Sequence, residues 1–133
     1  MRIIAGSARS RTILTPEGRD TRPTLDRVRE SLFNILQMRV RGAEVLDLFA
    51  GSGALSLEAI SRGASSAVMV DHDRKAIQCI KKNVEALRFT DSARVMQSDW
   101  KAAVETLSIP VVTAPARSTL TPISFSCNSI RSE

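Results

Sequence analysis

Two carboxylates and two glycines in the middle of the chain have the types and spacing of a cofactor site. Asp47 lies in a short apolar run that leads into Gly51 and Gly53, and Asp71 closes the next apolar run, 24 residues after Asp47. Glycines let a backbone come close to a small polar or anionic group, and the N-terminus of a following helix offers unpaired N–H groups. In nucleoside-binding α/β folds, an acidic residue about 20 residues further on accepts hydrogen bonds from ribose hydroxyls. The pattern therefore predicts a site for a nucleoside-bearing cofactor.

A third acidic residue, Asp99, follows a third apolar run and precedes Trp100. Both have a second interpretation, because Asp99 has the type and position of a helix N-cap and Trp100 is equally suited to a core. Asp73 has the same ambiguity and is better explained as an N-cap than as a ligand. The glycines also have an alternative role, since they permit a tight turn between a strand and a helix. That role leaves the carboxylates at the ends of two strands unexplained.

The elements that must position these residues alternate between strand and helix. Apolar runs predict the strands, and apolar residues at helical spacing predict the helices between them. The predicted strands are 45–49, 66–71 and 93–99, and the predicted helices are one that ends near Arg62, 73–87 and 100–107. This order implies a parallel sheet with right-handed crossovers, and the uninterrupted apolar runs indicate strands covered on both faces. We therefore predict an α/β fold of three layers in residues 44–107.

Ahead of this sheet, residues 1–43 are predicted to form a short basic extension. Short apolar runs separated by small residues predict short strands and turns in residues 1–20. Thr24 is a candidate N-cap for a helix over residues 25–38. The predicted apolar side of that helix consists of Leu25, Val28, Leu32, Ile35 and Leu36.

The net charge of +5 is concentrated ahead of the glycine turn. Residues 1–44 carry +4, and every basic residue among them is Arg, whereas residues 45–107 are neutral. Arg favours bidentate contacts with phosphate and stacking on bases, so this distribution indicates a polyanionic partner. The alternative is a solvated surface without a partner.

Composition disfavours several classes of protein. At 133 residues the chain is one domain at most. The single histidine, His72, and the distant pair Cys79 and Cys127 argue against a zinc site and a disulfide scaffold, and they fit a reducing compartment. The sequence lacks an apolar run of about 18 residues and the apolar core of a signal peptide. We therefore expect a cytoplasmic protein that binds neither metal nor membrane.

The chain also contains three longer motifs, Arg2–Gly6, Thr21–Leu36 and Leu46–Leu55, of which the second begins Thr-Arg-Pro-Thr and ends Asn-Ile-Leu. In order and spacing they resemble the RsmD family of bacterial small-subunit ribosomal RNA guanine-N2 methyltransferases. The resemblance covers about residues 1–107 and implies a Rossmann-like fold that binds S-adenosylmethionine. A nicotinamide-dependent oxidoreductase is disfavoured, because the dinucleotide fingerprint expects Gly or Ala where this chain has Ser56.

The resemblance implies roles for individual residues. The residues expected to line the methionine part of the cofactor are Asp47, Phe49, Ala50, Gly51, Ser52 and Gly53. Asp71 would bind the ribose and Asp99 the adenine, with Trp100 packing on the ring. The partner would be ribosomal RNA or the small ribosomal subunit, placed by the basic extension. The expected RNA contacts are Arg9, Arg11, Arg22, Arg27 and Arg29, some of which would instead pair with acids on the same helix.

The chain departs from the family after Leu107. The family's fourth motif, Asp/Asn-Pro-Pro-Tyr/Phe, is absent, so no residue is a candidate for catalysis, and residues 108–133 are predicted to form an irregular tail rich in Ser, Thr and Pro. We interpret the change as a truncation or frameshift. This hypothesis predicts a fold that is incomplete in its C-terminal half, with the first strand partly unpaired unless residues 109–112 form a substitute strand. The alternatives to an enzyme are a non-catalytic fragment that binds S-adenosylmethionine or RNA, and an inert truncated product.

Overall fold

A parallel four-stranded sheet with helices packed on it forms the centre of the computed structural model, which describes residues 1–17, 23–107 and 123–125. The strands are β1 Glu44–Asp47, β2 Ser66–Asp71, β3 Ala93–Gln97 and β4 Ile123–Phe125, and the helices are α1 Pro23–Val40, α2 Ala54–Ser61, α3 Arg74–Leu87 and α4 Trp100–Leu107. The strand order is β3-β2-β1-β4, and every pairing is parallel. The predicted Rossmann-like α/β class is confirmed.

The strand ends depend on short-range hydrogen bonds. β1 stops at Asp47, two residues earlier than predicted, because the Asp47 side chain accepts a hydrogen bond from the Phe49 N–H and starts a turn there. α2 ends as predicted, with Gly63 in the left-handed region at φ 107° just beyond the C-cap Arg62. α3 begins at Arg74, one residue after its predicted start, because Asp73 is its N-cap and accepts a hydrogen bond from the Lys75 N–H.

Residues 1–17 form an N-terminal hairpin that packs into the main core. Arg2 pairs with Thr12 in an antiparallel bridge, and the Ile3 N–H donates to the Arg11 carbonyl over 3.0 Å. Ile3 and Ile13 are each 2% exposed and belong to the cluster built by α2, α3 and β2. The hairpin is therefore a structural part of the sheet domain.

The predicted apolar side of α1 is wrong in part. Val28 is 56% exposed and Ile35 80% exposed, whereas Phe33 is fully buried and Val40 nearly so. Apolar residues lie on two sides of this helix, so their spacing alone does not determine which side is buried. The predicted N-cap at Thr24 is also wrong, because the helix begins at Pro23, a residue suited to the first helical position.

The expectation that β1 would lie partly unpaired is wrong as well. β4 pairs with it in register, Val45 beside Ile123 and Asp47 beside Phe125, so β1 is an interior strand. The predicted irregular tail thus contains a strand at residues 123–125. The substitute strand predicted at residues 109–112 lies outside the described residues.

Candidate cofactor site

The glycine turn after β1 folds over the end of β2. The Gly51 N–H donates to Asp71 Oδ2 over 2.9 Å, and the Ala50 N–H donates to the Val70 carbonyl over 2.9 Å. Asp47 and Asp71 therefore lie at the same edge of two adjacent parallel strands, as the sequence predicts. The turn between them exposes part of Phe49 and Ser52, whereas Ala50 and both glycines are buried.

Asp47 is a buried carboxyl group with two hydrogen bonds. It is 1% exposed and accepts hydrogen bonds from the Phe49 N–H and the Ser56 hydroxyl, each over 3.3 Å. Burial raises the pKa of Asp47 from 3.8 to about 6, against the two hydrogen bonds, and the negative charge of Asp71 adds to the rise. The pKa of this carboxyl group therefore lies close to neutral pH, and a bound cationic ligand would favour the ionised form.

Asp71 holds the turn and keeps acceptor capacity. It is 5% exposed, with Oδ1 accepting from the Asp73 N–H over 2.9 Å and Oδ2 accepting from the Gly51 N–H. The exposed His72 lies close by, with Nδ1 at 3.7 Å from Oδ1. Each carboxylate oxygen has a second lone pair, so the group is able to accept two further hydrogen bonds from vicinal hydroxyls.

The two glycines of the turn both require a positive φ. Gly51 has φ 59° and Gly53 has φ 79°, and a Cβ on Gly53 would lie 3.0 Å from the Sδ atom of Met69. The missing side chain at Gly53 thus lets the turn pack on β2 and α3. This contact supports the alternative role of that glycine as a tight-turn residue.

The end of β3 contributes the outer rim of the site. The Ser98 N–H donates to the Asp71 carbonyl over 3.1 Å, which holds the chain just before Asp99 and Trp100 against the end of β2. Asp99 is exposed and caps α4, with Oδ1 accepting from the Ala102 N–H over 2.9 Å. Trp100 is 45% exposed, so its alternative role as a core residue is wrong. Asp73 is an N-cap, as its preferred interpretation predicts.

The arginines expected to contact RNA fall into three groups. Arg9, Arg11 and Arg27 are exposed, although Arg11 Nη2 also donates to the Ala86 carbonyl over 2.7 Å at the end of α3. Arg22 lies outside the described residues. The expectation is wrong for Arg29, which is 5% exposed and whose guanidinium contacts groups of the protein itself.

Arg29 is a structural cation. Its Nη2 atom donates to the Arg2 carbonyl and lies 3.3 Å from Asp26 Oδ1, and its Nε atom lies 3.8 Å from Glu58 Oε2. These contacts tie α1 to the hairpin and to α2. A guanidinium enclosed in this way is not available to a phosphate.

Sequence reasoning missed two buried polar residues, Glu58 and Asn83. Glu58 is fully buried and accepts from the Ile4 and Ala5 N–H groups over 2.9 and 3.1 Å and from Arg62 Nε over 2.8 Å. The signal for it was a lone acid within the apolar stretch of α2 with an arginine four residues later.

Asn83 fastens the hairpin to the glycine turn. Its Nδ2 group donates to the Leu14 carbonyl over 2.9 Å and to the Ser52 carbonyl over 3.0 Å, and its Oδ1 atom accepts from the Leu14 N–H over 2.8 Å. Its partners lie 69 and 31 residues away along the chain, so local sequence pattern carries no sign of them.

Other kinds of site are limited within residues 1–17, 23–107 and 123–125. No cluster of three or more potential metal ligands occurs there. None of the helices in this part of the chain has the length and hydropathy required to span a membrane.

Comparison with known proteins identifies the family. The model of the family described as "Conserved hypothetical protein 95" matches residues 1–112. The chain belongs to this family. Two curated relatives confirm the predicted resemblance to the RsmD family. The chain is 45% identical over 104 residues to "Putative rRNA methyltransferase YlbH" of Bacillus subtilis, covering 78% of this chain and 56% of that protein. It is 46% identical over 99 residues to "Ribosomal RNA small subunit methyltransferase D" of Escherichia coli K12, covering 74% and 50%.

A solved structure shows the same fold. "Putative methyltransferase yhhF" from Escherichia coli superposes with a TM-score of 0.71 at 45% identity, over 78% of this chain and 56% of that one. The chain spans about half the length of the curated relatives that it matches.

Proposed function

We propose that this chain is the cofactor-binding part of an S-adenosylmethionine-dependent methyltransferase that acts on the exocyclic N2 of a guanine in small-subunit ribosomal RNA. The observation that carries the proposal is the buried Asp71 carboxylate, which holds the glycine turn through Gly51 and keeps acceptor capacity. Membership of a family with ribosomal RNA methyltransferases among its members supports the reaction and the substrate. Such a substrate implies a cytoplasmic location.

The residues of the site fit the proposed cofactor. Asp71 offers two acceptor oxygens for ribose hydroxyls, and the exposed Trp100 ring and the Asp99 carboxylate would contact the adenine. S-adenosylmethionine supplies a methyl group on a positively charged sulfur. A buried carboxylate stabilises a neighbouring cation, so Asp47 would favour this ligand and would itself ionise more readily when the ligand binds.

In this proposal the chain contributes binding and orientation. The turn and the three strand ends fix the cofactor against the sheet, and fixed geometry supplies much of the rate of a transfer between two bound groups. The sequence lacks the Asp/Asn-Pro-Pro-Tyr/Phe motif, which would orient the guanine amino group. That absence favours a second candidate function, a fragment that binds cofactor or RNA with little turnover.

Isothermal titration with S-adenosylmethionine tests the cofactor site. We expect the 133-residue chain to bind it, and D71N to lower the affinity at least about tenfold, because an amide presents a donor where two acceptors are needed. D91N, at an exposed position away from the site, is the matched control and should bind as the unaltered chain does. Equal affinity of D71N, or displacement by NAD, would refute the assignment.

A second experiment separates the enzyme from the fragment. The DNA around codons 105–133 is read in all three frames, and the mass of the intact protein is measured. An alternative frame that encodes an apolar strand ending in Asp-Pro-Pro-Tyr or Asn-Pro-Pro-Phe assigns the reaction to the restored protein. If every frame lacks it, the binding fragment becomes the favoured function.

A further inference from the structure

A segment with equal numbers of acidic and basic residues exposes more of its basic than of its acidic side chains once it is folded. Residues 45–107 contain eight acidic and eight basic residues. Three of the acids, Asp47, Glu58 and Asp71, are buried, and among the eight basic residues Arg62 is the one that pairs with a buried acid. The remaining basic residues therefore outnumber the remaining acids, and this half of the protein presents positive charge to solvent.

Most of that positive charge lies on α3. Its exposed basic residues, including the C-cap, are Arg74, Lys75, Lys81, Lys82 and Arg88. Glu85 is the single acid between positions 74 and 88. Arg11 of the hairpin adds its guanidinium at the C-terminal end of the same helix through its bond to the Ala86 carbonyl.

A groove of about 360 Å³ separates this helix from the end of the hairpin. One wall consists of residues 14–17, and the other consists of Lys75, Gln78, Cys79 and Lys82. The two lysines are seven residues apart, so they stand two turns, or about 10.5 Å, from each other on one side of the helix. The groove thus offers two cations whose backbone positions are about 10.5 Å apart.

The groove is joined to the cofactor site by hydrogen bonds of two residues of α3. Asn83 bonds to the Leu14 carbonyl at the groove wall and to the Ser52 carbonyl in the glycine turn. At the other end, the Lys75 N–H bonds to Asp73, two residues beyond Asp71. An RNA strand whose reacting base lies at the strand ends would meet Lys75 first and Lys82 two turns further along α3.

We infer that the groove between residues 14–17 and α3 binds the sugar–phosphate backbone of an RNA strand, with Lys75 and Lys82 contacting phosphates. The inference rests on the proposed function, because it places the strand beside the methyl donor. Lysines bind phosphate as point charges, and Gln78 between them offers an amide to sugar or phosphate oxygens. Glu17 on the opposite wall opposes an anion and limits the affinity.

This interface differs from the one predicted from charge along the chain. That prediction assigned RNA contact to residues 1–43, including Arg29, which is buried. In the folded protein the hairpin supplies one wall and α3, from the neutral segment, supplies the cations. The cationic wall of the groove is therefore formed by residues of a segment whose net charge, summed along the sequence, is zero.

Fluorescence anisotropy with a labelled single-stranded RNA of mixed sequence tests the inference. We expect the double variant K75Q/K82Q to bind at least about tenfold more weakly at low salt, and the dependence of log affinity on log salt to flatten by about 1.4, because each phosphate contact releases about 0.7 counterion from a single strand. E17Q should bind more tightly. K81Q, on the same helix but outside the groove, is the matched control and should lose less affinity than either groove lysine alone.

The same proteins are titrated with S-adenosylmethionine and melted by circular dichroism. Retained cofactor affinity and melting temperature in K75Q/K82Q show that a loss of RNA binding arises in the groove. If K81Q weakens RNA binding as much as K75Q and K82Q do, or if polyglutamate displaces the RNA at equal charge concentration, the groove is not an RNA site. Failure of the unaltered chain to bind S-adenosylmethionine, with a normal response of RNA affinity to the groove variants, would refute the proposed function and leave the groove standing as an RNA site.

Discussion

Asp47 binds a proton more tightly in the folded protein than in the unfolded chain, since its pKa rises from 3.8 to about 6. Between these two values the folded state holds more protons, so the contribution of this residue to stability decreases as pH rises through that window. At pH 7 the ionised group lowers the free energy of unfolding by at most about 3 kcal/mol. The site therefore contains a carboxylate that the fold alone does not favour.

D47N should stabilise the unliganded protein at pH 7, by up to about 3 kcal/mol, because an amide remains neutral while it keeps partners in Phe49 and Ser56. Urea denaturation at pH 5 and pH 7 measures the effect. The contribution of Asp47 should make the unaltered protein more stable at pH 5 than at pH 7. This difference in stability between the two pH values should be smaller in D47N. D91N, at an exposed position, controls for the loss of one negative charge. A stability of D47N below that of the unaltered protein at pH 7 would contradict the argument.

Two glycines with similar backbone conformations allow the cost of backbone strain to be distinguished from the cost of side-chain crowding. Gly42 has φ 75° and open space where a Cβ would lie, whereas Gly53 has φ 79° and the Met69 sulfur 3.0 Å from that position. G42A should cost about 1 kcal/mol from the left-handed conformation alone, and G53A should cost more because the sulfur must also move. Thermal melts of both variants give the comparison. Equal losses would show that Met69 yields without cost.

At the scale of the secondary-structure elements, α1 is attached through a few residues. Phe33 is fully buried among residues of α2, β1 and β2, and the Arg62 guanidinium lies 5.0 Å from its ring centroid. Two residues further along the same helix, Ile35 is 80% exposed. The two side chains are similar in hydrophobicity, but only one transfers its area out of water.

F33A should lower the free energy of unfolding by about 3–5 kcal/mol, because it removes buried area and leaves a cavity. I35A should change it by no more than about 0.5 kcal/mol, since the side chain is already in water. Chemical denaturation of the two variants checks both values. Comparable losses would place Ile35 in a contact and restore the apolar side predicted from the sequence.

The elements that the sequence predicts well are those with one unambiguous pattern. β2 matches its predicted bounds and α3 begins one residue after its predicted start, because β2 is an uninterrupted apolar run and α3 has a single apolar side preceded by a capping acid. The buried side of α1 requires knowledge of its partner, since apolar residues occupy two sides. β4 lies in a Ser- and Thr-rich segment whose local composition is not that of a buried strand. The composition therefore does not predict this strand, which is defined by its pairing with β1.

The candidate site shows the same division. The strand-end positions of Asp47 and Asp71 follow from the run of apolar residues before each of them. The hairpin partners of Glu58 and Asn83 could not be predicted, because they lie more than 50 residues away along the chain. Burial then decides which charges are available, and it removes Arg29 from the exposed set.

At the scale of the whole molecule, Glu58 joins three parts of the chain. Its carboxylate accepts two N–H groups of the hairpin, pairs with Arg62 of the α2 C-cap and lies near Arg29 of α1. Because the group is fully buried, loss of its charge leaves these partners without compensation. The hairpin is thus joined to the sheet domain by electrostatics as well as by Ile3 and Ile13.

E58Q should lower the free energy of unfolding by about 3 kcal/mol and should loosen the hairpin before the sheet. Amide hydrogen exchange gives the local readout, with faster exchange expected at Ile4 and Ala5 than at β2. E105Q, at an exposed position of α4, is the matched control and should leave both quantities unchanged. Uniform acceleration across the protein would show that the hairpin and sheet unfold as one unit.

The bond between Leu14 and Asn83 spans 69 residues, and this distance sets an order of events during synthesis. A two-stranded hairpin is marginal in water without a surface to pack on, and α3 is translated long after it. At about 5–20 residues per second, roughly 3–14 seconds separate the appearance of the two partners. Until α3 has been made, the first residues of the chain have only the α2 part of their docking surface and are available to chaperones. Closure of so long a loop also makes hairpin docking a late and slow step of folding.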